Sequence, residues 1–307
     1  MQVMRVATFA SIDQMVNATL QTQATMANEE LQESSGLVST DYAGLGASAK
    51  QVLNLQISIA RAQSYANAAT AANDRATMMS SALSSMSDVL TSFRSDLAAA
   101  NSTDSTTGSS SLQATAADML QEFASALNTQ YAGEYVFGGS KTDTAPVDVS
   151  DPPYAAATAS SAADTSYYQG DDVTTSVRVS DDQVIQYGIT ADNTAFEQAL
   201  RALNMIANSS GTTVDSTTLT TASDLVVSAM DGLTTLQSRL GADSSAMQQA
   251  ASDQTTYQDD LTTVTDSLTN VDVAAVTAKL TAYQTQLEAS YAALSKIESL
   301  SLVSYLK

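Results

Sequence analysis

Carboxylates, hydroxyls, lysine amines and phenols are the side chains left to this chain for chemistry, because its 307 residues include no His and no Cys. Without imidazole or thiol, the sequence excludes a His-containing triad, a Cys nucleophile, a disulfide framework, a zinc finger and an iron–sulfur site. The pairs Asp171-Asp172 and Asp181-Asp182 lack the spacing, loop Gly and terminal Glu of a calcium loop, so they are expected to be solvated turn residues. Gly133 to Gly139 lacks the Lys-Ser/Thr that holds a phosphate and its metal, and is expected to be a tight turn. No spacing pairs a Ser with a Lys or two carboxylates with each other. The sequence therefore predicts no catalytic residue, no cofactor site and no metal site, and no enzyme.

Charge narrows the partners further. Asp and Glu number 33 against 12 Lys and Arg, a formal net charge of −21. The basic residues are scattered singly from Arg5 to Lys307, whereas nucleic-acid binding needs them clustered. An anionic membrane surface repels the chain for the same reason. Composition is 44% hydrophobic but only 6% aromatic and 15% charged, with three Pro. An Ala-rich, aromatic-poor chain suits long, slender helix packing better than a compact enzyme around a deep pocket. No run reaches the ~18 consecutive apolar residues of a membrane span. Met1 to Ala10 carries one basic residue and too short an apolar stretch for a signal-peptide core, so no cleavable signal peptide is expected.

Apolar spacing supplies the elements that position everything else. Val6, Phe9, Ile12, Val16, Leu20, Ala24, Ala27 and Leu31 recur in steps of three and four, which predicts one amphipathic helix with a single stripe. Met1, Met4, Met15 and Met26 lie on or near it, as adaptable packing. Ser34-Ser35-Gly36 ends the helix. A second, unbroken helix is predicted from about Ala47 to Ala100, with Leu53, Ile57, Ala60, Ser64 and Ala68 on one face. Asn101 to Gly108 reads as a break, and Leu112 to about Gln130 as a third helix.

At Gly133 the texture changes. Pro146, Pro152 and Pro153 are the three prolines, and between 143 and 192 only Arg178 is basic. Val173 to Val179 and Val184 to Tyr187 predict a hairpin. Helix resumes at Thr194, breaks at the polar loop Asn208 to Thr213, and runs again from Leu219 to about Leu268. Asn270 and Asp272 recap a last helix with heptad-like steps at Val276, Leu280, Tyr283, Leu287, Tyr291 and Leu294.

The fold class expected is mainly α: a long antiparallel helical rod, with coiled-coil-like terminal helices and a helical bundle, carrying a small β-rich central insertion. Residues 1–35 and 270–307 form the expected terminal assembly domain. Residues 36–132 and 193–269 form the long helical domain, and 133–192 a small acidic outer domain. The expected assembly surface comprises Phe9, Ile12, Val16, Leu20, Leu31, Leu280, Leu287, Leu294, Leu302 and Leu306. Such stripes also suit the core of a closed bundle.

Several segments, in order along nearly the whole chain, carry a family likeness. Glu33-Ser-Ser-Gly36 followed by Asp41-Tyr-Ala-Gly-Leu45, and Asn128-Thr-Gln-Tyr-Ala-Gly133-Glu-Tyr135-Val-Phe137-Gly138-Gly139, are two of them. Tyr168-Gln-Gly170-Asp171, Ala195-Phe-Glu-Gln-Ala-Leu200, Asn270-Val-Asp272-Val and the ending Ser299 to Leu306 are the others. Together they resemble the flagellin and hook-associated protein 3 superfamily of the bacterial flagellum. Where filament flagellins tend to read Leu-Ser-Ser-Gly-Leu-Arg-Ile-Asn, this chain has Glu33-Ser-Ser-Gly-Leu-Val-Ser-Thr40, which favours a hook–filament junction subunit over a filament subunit. The resemblance implies a structural protein of the flagellum, exported unfolded through the flagellar type III channel and assembled outside the cell. The partners it implies are neighbouring copies, another hook-associated protein, flagellin and an export chaperone, with no nucleic acid and no membrane. The implied bacterial origin makes the Asn17-Ala-Thr, Asn101-Ser-Thr and Asn208-Ser-Ser patterns accidental as glycosylation signals. Two alternatives remain, a flagellin-like filament subunit and a surface adhesin or glycan-binding protein.

Overall fold

The computed structural model describes residues 2–102, 106–150, 154–209 and 214–305, with side chains described at residue 10 and over 12–297 apart from 102 and 106–109. Among the described residues six α-helices dominate: α1 (Gln2–Ser35), α2 (Ala49–Ser102), α3 (Thr106–Leu127), α4 (Thr194–Ala207), α5 (Ser216–Thr269) and α6 (Val273–Tyr305). Between α3 and α4 lie two small antiparallel hairpins, β1 (Gln130–Tyr131) with β2 (Glu134–Tyr135) and β3 (Ser176–Arg178) with β4 (Val184–Gln186). No described helix is long and apolar enough to cross a membrane. Of the expected break Asn101 to Gly108, residues 101–102 end α2 and 106–108 begin α3, and only 103–105 lie outside the described residues, as do 210–213 of the expected loop Asn208 to Thr213 and Asp151, Pro152 and Pro153.

The boundaries follow from local chemistry. Asn193 Oδ1 accepts from the Ala195 amide at 3.0 Å to cap α4, and Asp215 accepts from the Thr218 amide at 3.0 Å and its hydroxyl at 2.6 Å to cap α5. That cap starts α5 at Ser216, ahead of the predicted Leu219. α3 begins at Thr106 rather than at Leu112; Thr106 to Ser111, with Gly108, has low helix propensity, but no Pro bars the helix from it. The many helical Ser and Thr side chains bond back to the carbonyl four residues earlier, as Thr19 does to Met15 at 2.8 Å.

The chain divides into two compact units, Met1–Arg61 with Tyr257–Lys307, and Ala62–Thr256. Every member of the main hydrophobic core, from Ala69 to Ala250, belongs to the second. There α3 packs on α4, and Phe196 meets Phe123 and Phe137 edge-on with centroids 6.5 and 5.8 Å apart. Gly232 in α5 lies where an added Cβ would stand 2.6 Å from the Cβ of Ala195, so this helical glycine permits a close approach to the start of α4.

The stretch between the hairpins has little regular structure, so its backbone groups need other partners. The polar face of α4 supplies them. Asn204 bonds the Ala157 amide and the Ala155 carbonyl at 2.8 and 3.2 Å, Arg201 the Ser161 carbonyl at 3.0 Å, and the buried Glu197 the Asp164 amide at 3.1 Å. Glu197 and Arg201 pair at 2.8 Å. Hairpin β3–β4 occupies a fixed place as well: the Tyr65 hydroxyl donates to Asp181 at 2.8 Å and Gln254 to the Val179 carbonyl at 3.1 Å. Asp181, expected to be only a solvated turn residue, is thus an acceptor as well, and so is Asp171.

Candidate functional site

Among the described residues no cluster of three potential metal ligands occurs. What the structure builds most systematically is a pair of helical seams. In the first unit, α6 buries Val276, Leu280 and Leu287 and half-buries Tyr283, Ser290, Leu294 and Ile297. Those steps of four and three are a heptad seam, and α1 is the helix packed against it.

α1 answers with a different set from its most aliphatic stripe. Its half-buried and buried positions are Ile12, Met15, Thr19, Thr22, Met26 and Glu29, again in steps of three and four. Val16, Leu20 and Leu31 lie about a third of a turn away on an outward face, with Leu20 55% and Leu31 63% exposed. One predicted stripe is therefore two: Ile12 belongs to the inner seam and the aliphatic residues after it to the outer. Phe9 and Leu302 carry side chains outside the described set, and Leu306 lies outside the described residues.

Polar rungs fix the register of α1 on α6. The Thr277 hydroxyl donates to Glu33 at 2.6 Å, Lys279 pairs with Glu29 at 3.4 Å, and Gln23 bonds the Tyr291 hydroxyl. At the base a backbone clasp joins the two linkers. The Val38 amide donates to the Thr269 carbonyl at 2.7 Å and the Val271 amide to the Gly36 carbonyl at 2.9 Å, bracketing an antiparallel bridge of Leu37 with Asn270. Gly36 enters this clasp at φ +70, the left-handed conformation usual after a helix end. Asp272 leaves it by capping α6 through the amides of Ala274 and Ala275 at 3.0 and 3.2 Å. Asp41 folds the next turn, accepting from the Gly44 amide at 2.7 Å.

The glycine motif in the second unit has a packing explanation. Ala132 and Gly133 both have positive φ, 52 and 85, as the two-residue turn joining β1 to β2 demands. Arg75 of α2 anchors that hairpin, bonding Glu134 and the Tyr135 carbonyl, both at 2.9 Å; sequence spacing gave no sign of this contact across 59 positions. Phe137 enters the core with no exposure. Gly138 and Gly139 then pass against Gly170 and Asp171. A Cβ on Gly139 would stand 2.2 Å from Asp171 Oδ1, and one on Gly170 2.6 Å from the Gly138 carbonyl. Asp171 accepts from the Ser140 amide at 2.8 Å and from its hydroxyl. These hydrogen bonds, the hydroxyl first, hold the Asp171 carboxyl below the usual carboxylate range. Its contribution to stability is accordingly present above the unfolded value near pH ~4 and is lost as pH falls through the lower folded value.

Substituting Gly139→Ala adds left-handed strain and a clash with backbone, an expected loss of roughly 2–4 kcal/mol. The loss appears as a lower urea midpoint at constant slope; an unchanged midpoint contradicts the close approach.

The seam, the clasp and the first half of the glycine crossing, Gly133 to Gly139, fall where known sequences also match, whereas Gly170 and Asp171 do not. Family models of the bacterial flagellin N-terminal helical region and C-terminal helical region match residues 6–142 and 223–306. The chain belongs to the flagellin family. From residue 6 onward α1 lies within the matched segments, as do all of α6 and the whole clasp, whereas β3–β4 and α4 lie outside them. Among solved structures, a putative flagellar hook-associated protein from Vibrio parahaemolyticus is similar in fold. It has a TM-score of 0.61 at 15% identity, over 75% of this chain and 99% of that one. Bacillus cereus FlgL aligns over 76% of this chain and 99% of its own at 13% identity, with a TM-score of 0.38. No curated protein matches. As a flagellin-family member the chain is a non-enzymatic structural subunit of the flagellum, an extracellular component. Membership also implies polymerisation with flagellar partners.

Proposed function

We propose that this flagellin-family subunit joins hook to filament as a junction protein, and that it assembles through its terminal helices. The observation that supports assembly is the imbalance between the two units. Among the described residues, the first unit buries only Val52, Val276, Leu280 and Leu287 of its apolar side chains. Yet most of the exposed large hydrophobic residues are its own: among the described residues Met78, Val173, Val184 and Val227 are those that lie in the second. A unit with so little core gains its stability by closing those faces on neighbours, so that ordering and assembly are coupled. Residues 1–35 and 270–307 are the assembly domain in this proposal, with 36–132 and 193–269 as the long helical domain and the acidic 133–192 facing outward.

Support for the junction over the filament comes from the clasp sequence. Val38 and Thr40 stand where filament flagellins tend to carry Arg and Asn, and the Vibrio neighbour in fold is described as hook-associated. The junction's partners are neighbouring copies, a second hook-associated protein and flagellin, with an export chaperone before secretion. Deleting the gene is expected to leave hooks intact without filaments, and a copy lacking 272–307 to fail in complementation. A labelled protein should sit at the hook–filament boundary in electron micrographs of isolated flagella. Full filaments on the deletion strain, or label along the filament, contradict the junction role.

A further inference from the structure

Terminal-helix packing leaves a second apolar region of the first unit unexplained. The N-terminal part of α2 has two faces, as α1 does. Val52, Leu55 and Ile59 form an inward heptad series, while Leu53 and Ile57, 42% and 59% exposed, stand outward one helical turn apart. On the other shoulder of the same helix, α2 and the C-terminal part of α5 enclose a groove of about 380 Å³. Gln51, Leu55, Ser58, Tyr257 and Leu261 are among its lining residues. At 100° per residue, the ridge of Leu53 and Ile57 lies roughly a third of a turn from the groove. Ridge and groove also stand at the same level along α2.

We propose that the Leu53–Ile57 ridge of one copy seats in the α2–α5 groove of a second copy, a contact that is additional to the terminal-helix seam. The proposal rests on the assembling-subunit function above. Three observations select an identical copy as occupant. The chain carries a net charge of −21, so two copies can approach closely only where charge is absent, and Gln51 to Ala60 contains no charged residue. The groove adds Lys50 at its edge, a cation that suits an acidic partner. The ridge's i, i+4 spacing matches the groove, whose α2 side is lined at Gln51, Leu55 and Ser58 in steps of four and three. Because knob and hole are different surfaces of one molecule, the contact is heterologous: each copy uses its ridge on one neighbour and offers its groove to another. Repetition yields a ring or a helix instead of a closed dimer.

The absence of native cysteine makes the test clean. Full-length chain carrying Gln51→Cys with Ile57→Cys places one thiol in the groove and one on the ridge. Six helical residues separate them by about 9 Å along the axis, beyond the ~7 Å Cα limit for a disulfide, so no bond forms within one chain. Oxidation of the concentrated protein is expected to give a ladder of dimer, trimer and higher species, while either single variant yields none beyond a control pair in the second unit. Three results overturn the proposal: no cross-linking above the control, products that stop at dimer, or dimers from Ile57→Cys alone, which mark a symmetric contact. In isolated flagella, cross-linking only to a chain of different mass overturns it in favour of another subunit. Leu53→Glu provides the second measure, abolishing the ladder when added to the Gln51→Cys, Ile57→Cys chain with helicity unchanged. Failure of these tests leaves electron-microscopic localisation unaffected, so the contact and the junction role are judged separately.

Discussion

Phe196→Ala should unfold the second unit more readily than any other single truncation in it, by about 3–5 kcal/mol. Phe196 is fully buried and is the ring shared by two edge-to-face contacts, with Phe123 of α3 and with Phe137 after β2. Its removal leaves a cavity where α3, α4 and the strand following the glycine turn meet, and the aromatic pairs are lost with it. In a chain with only 5 Phe and no Trp, few other side chains can refill that space. Urea unfolding followed by tyrosine fluorescence checks the effect. A cost under ~1 kcal/mol would mean that the rings do not organise this core.

Leu287→Asp should act on the other unit and leave this one alone. Leu287 is 7% exposed in the middle of the α6 seam, one heptad from Leu280 and one from Leu294. A carboxylate there has no cation opposite it on the seam of α1, where the positions are Thr19, Thr22 and Met26, so the substitution combines lost burial with an unpaired charge. A loss of about 3 kcal/mol raises the protein concentration needed for assembly on the order of 100-fold. Pelleting of assembled material against concentration measures this directly. Unfolding of the second unit should keep its midpoint, since Leu287 touches none of its core.

How much of this was legible in the sequence differs from helix to helix. In α6 one apolar series, Val276, Leu280, Tyr283, Leu287 and Leu294, is both its strongest periodicity and its inner seam; Tyr291, read as part of that series, is instead 49% exposed, and the seam passes through Ser290. α1 and α2 each carry two apolar series, and periodicity alone favours the more aliphatic one. Val16, Leu20, Leu53 and Ile57 thus stood out, whereas the inner seam of α1 relies on Met15, Thr19, Thr22 and Met26, residues that hydropathy ranks lower. Thr19 is tolerated there because its hydroxyl is satisfied by Met15 within its own helix. The tight turn at Gly133 was legible, but the reason for Gly139 and Gly170 was not: a Cβ clash between segments about 31 residues apart leaves no local trace. Arg75, Asn204 and the Leu37–Asn270 clasp were missed for the same cause. Each makes backbone hydrogen bonds to a distant segment, and no spacing rule encodes such a partner.

The central claim is that the first unit completes its packing only in the assembly. Amide hydrogen exchange on the full chain, compared between dilute monomer and assembled material, tests it most directly. Amides of residues 12–35 and 273–297 are expected to exchange far faster than those of α4 in the monomer, and to become protected on assembly. Protection of those segments in the monomer equal to that of α4, unchanged by assembly, would contradict the account.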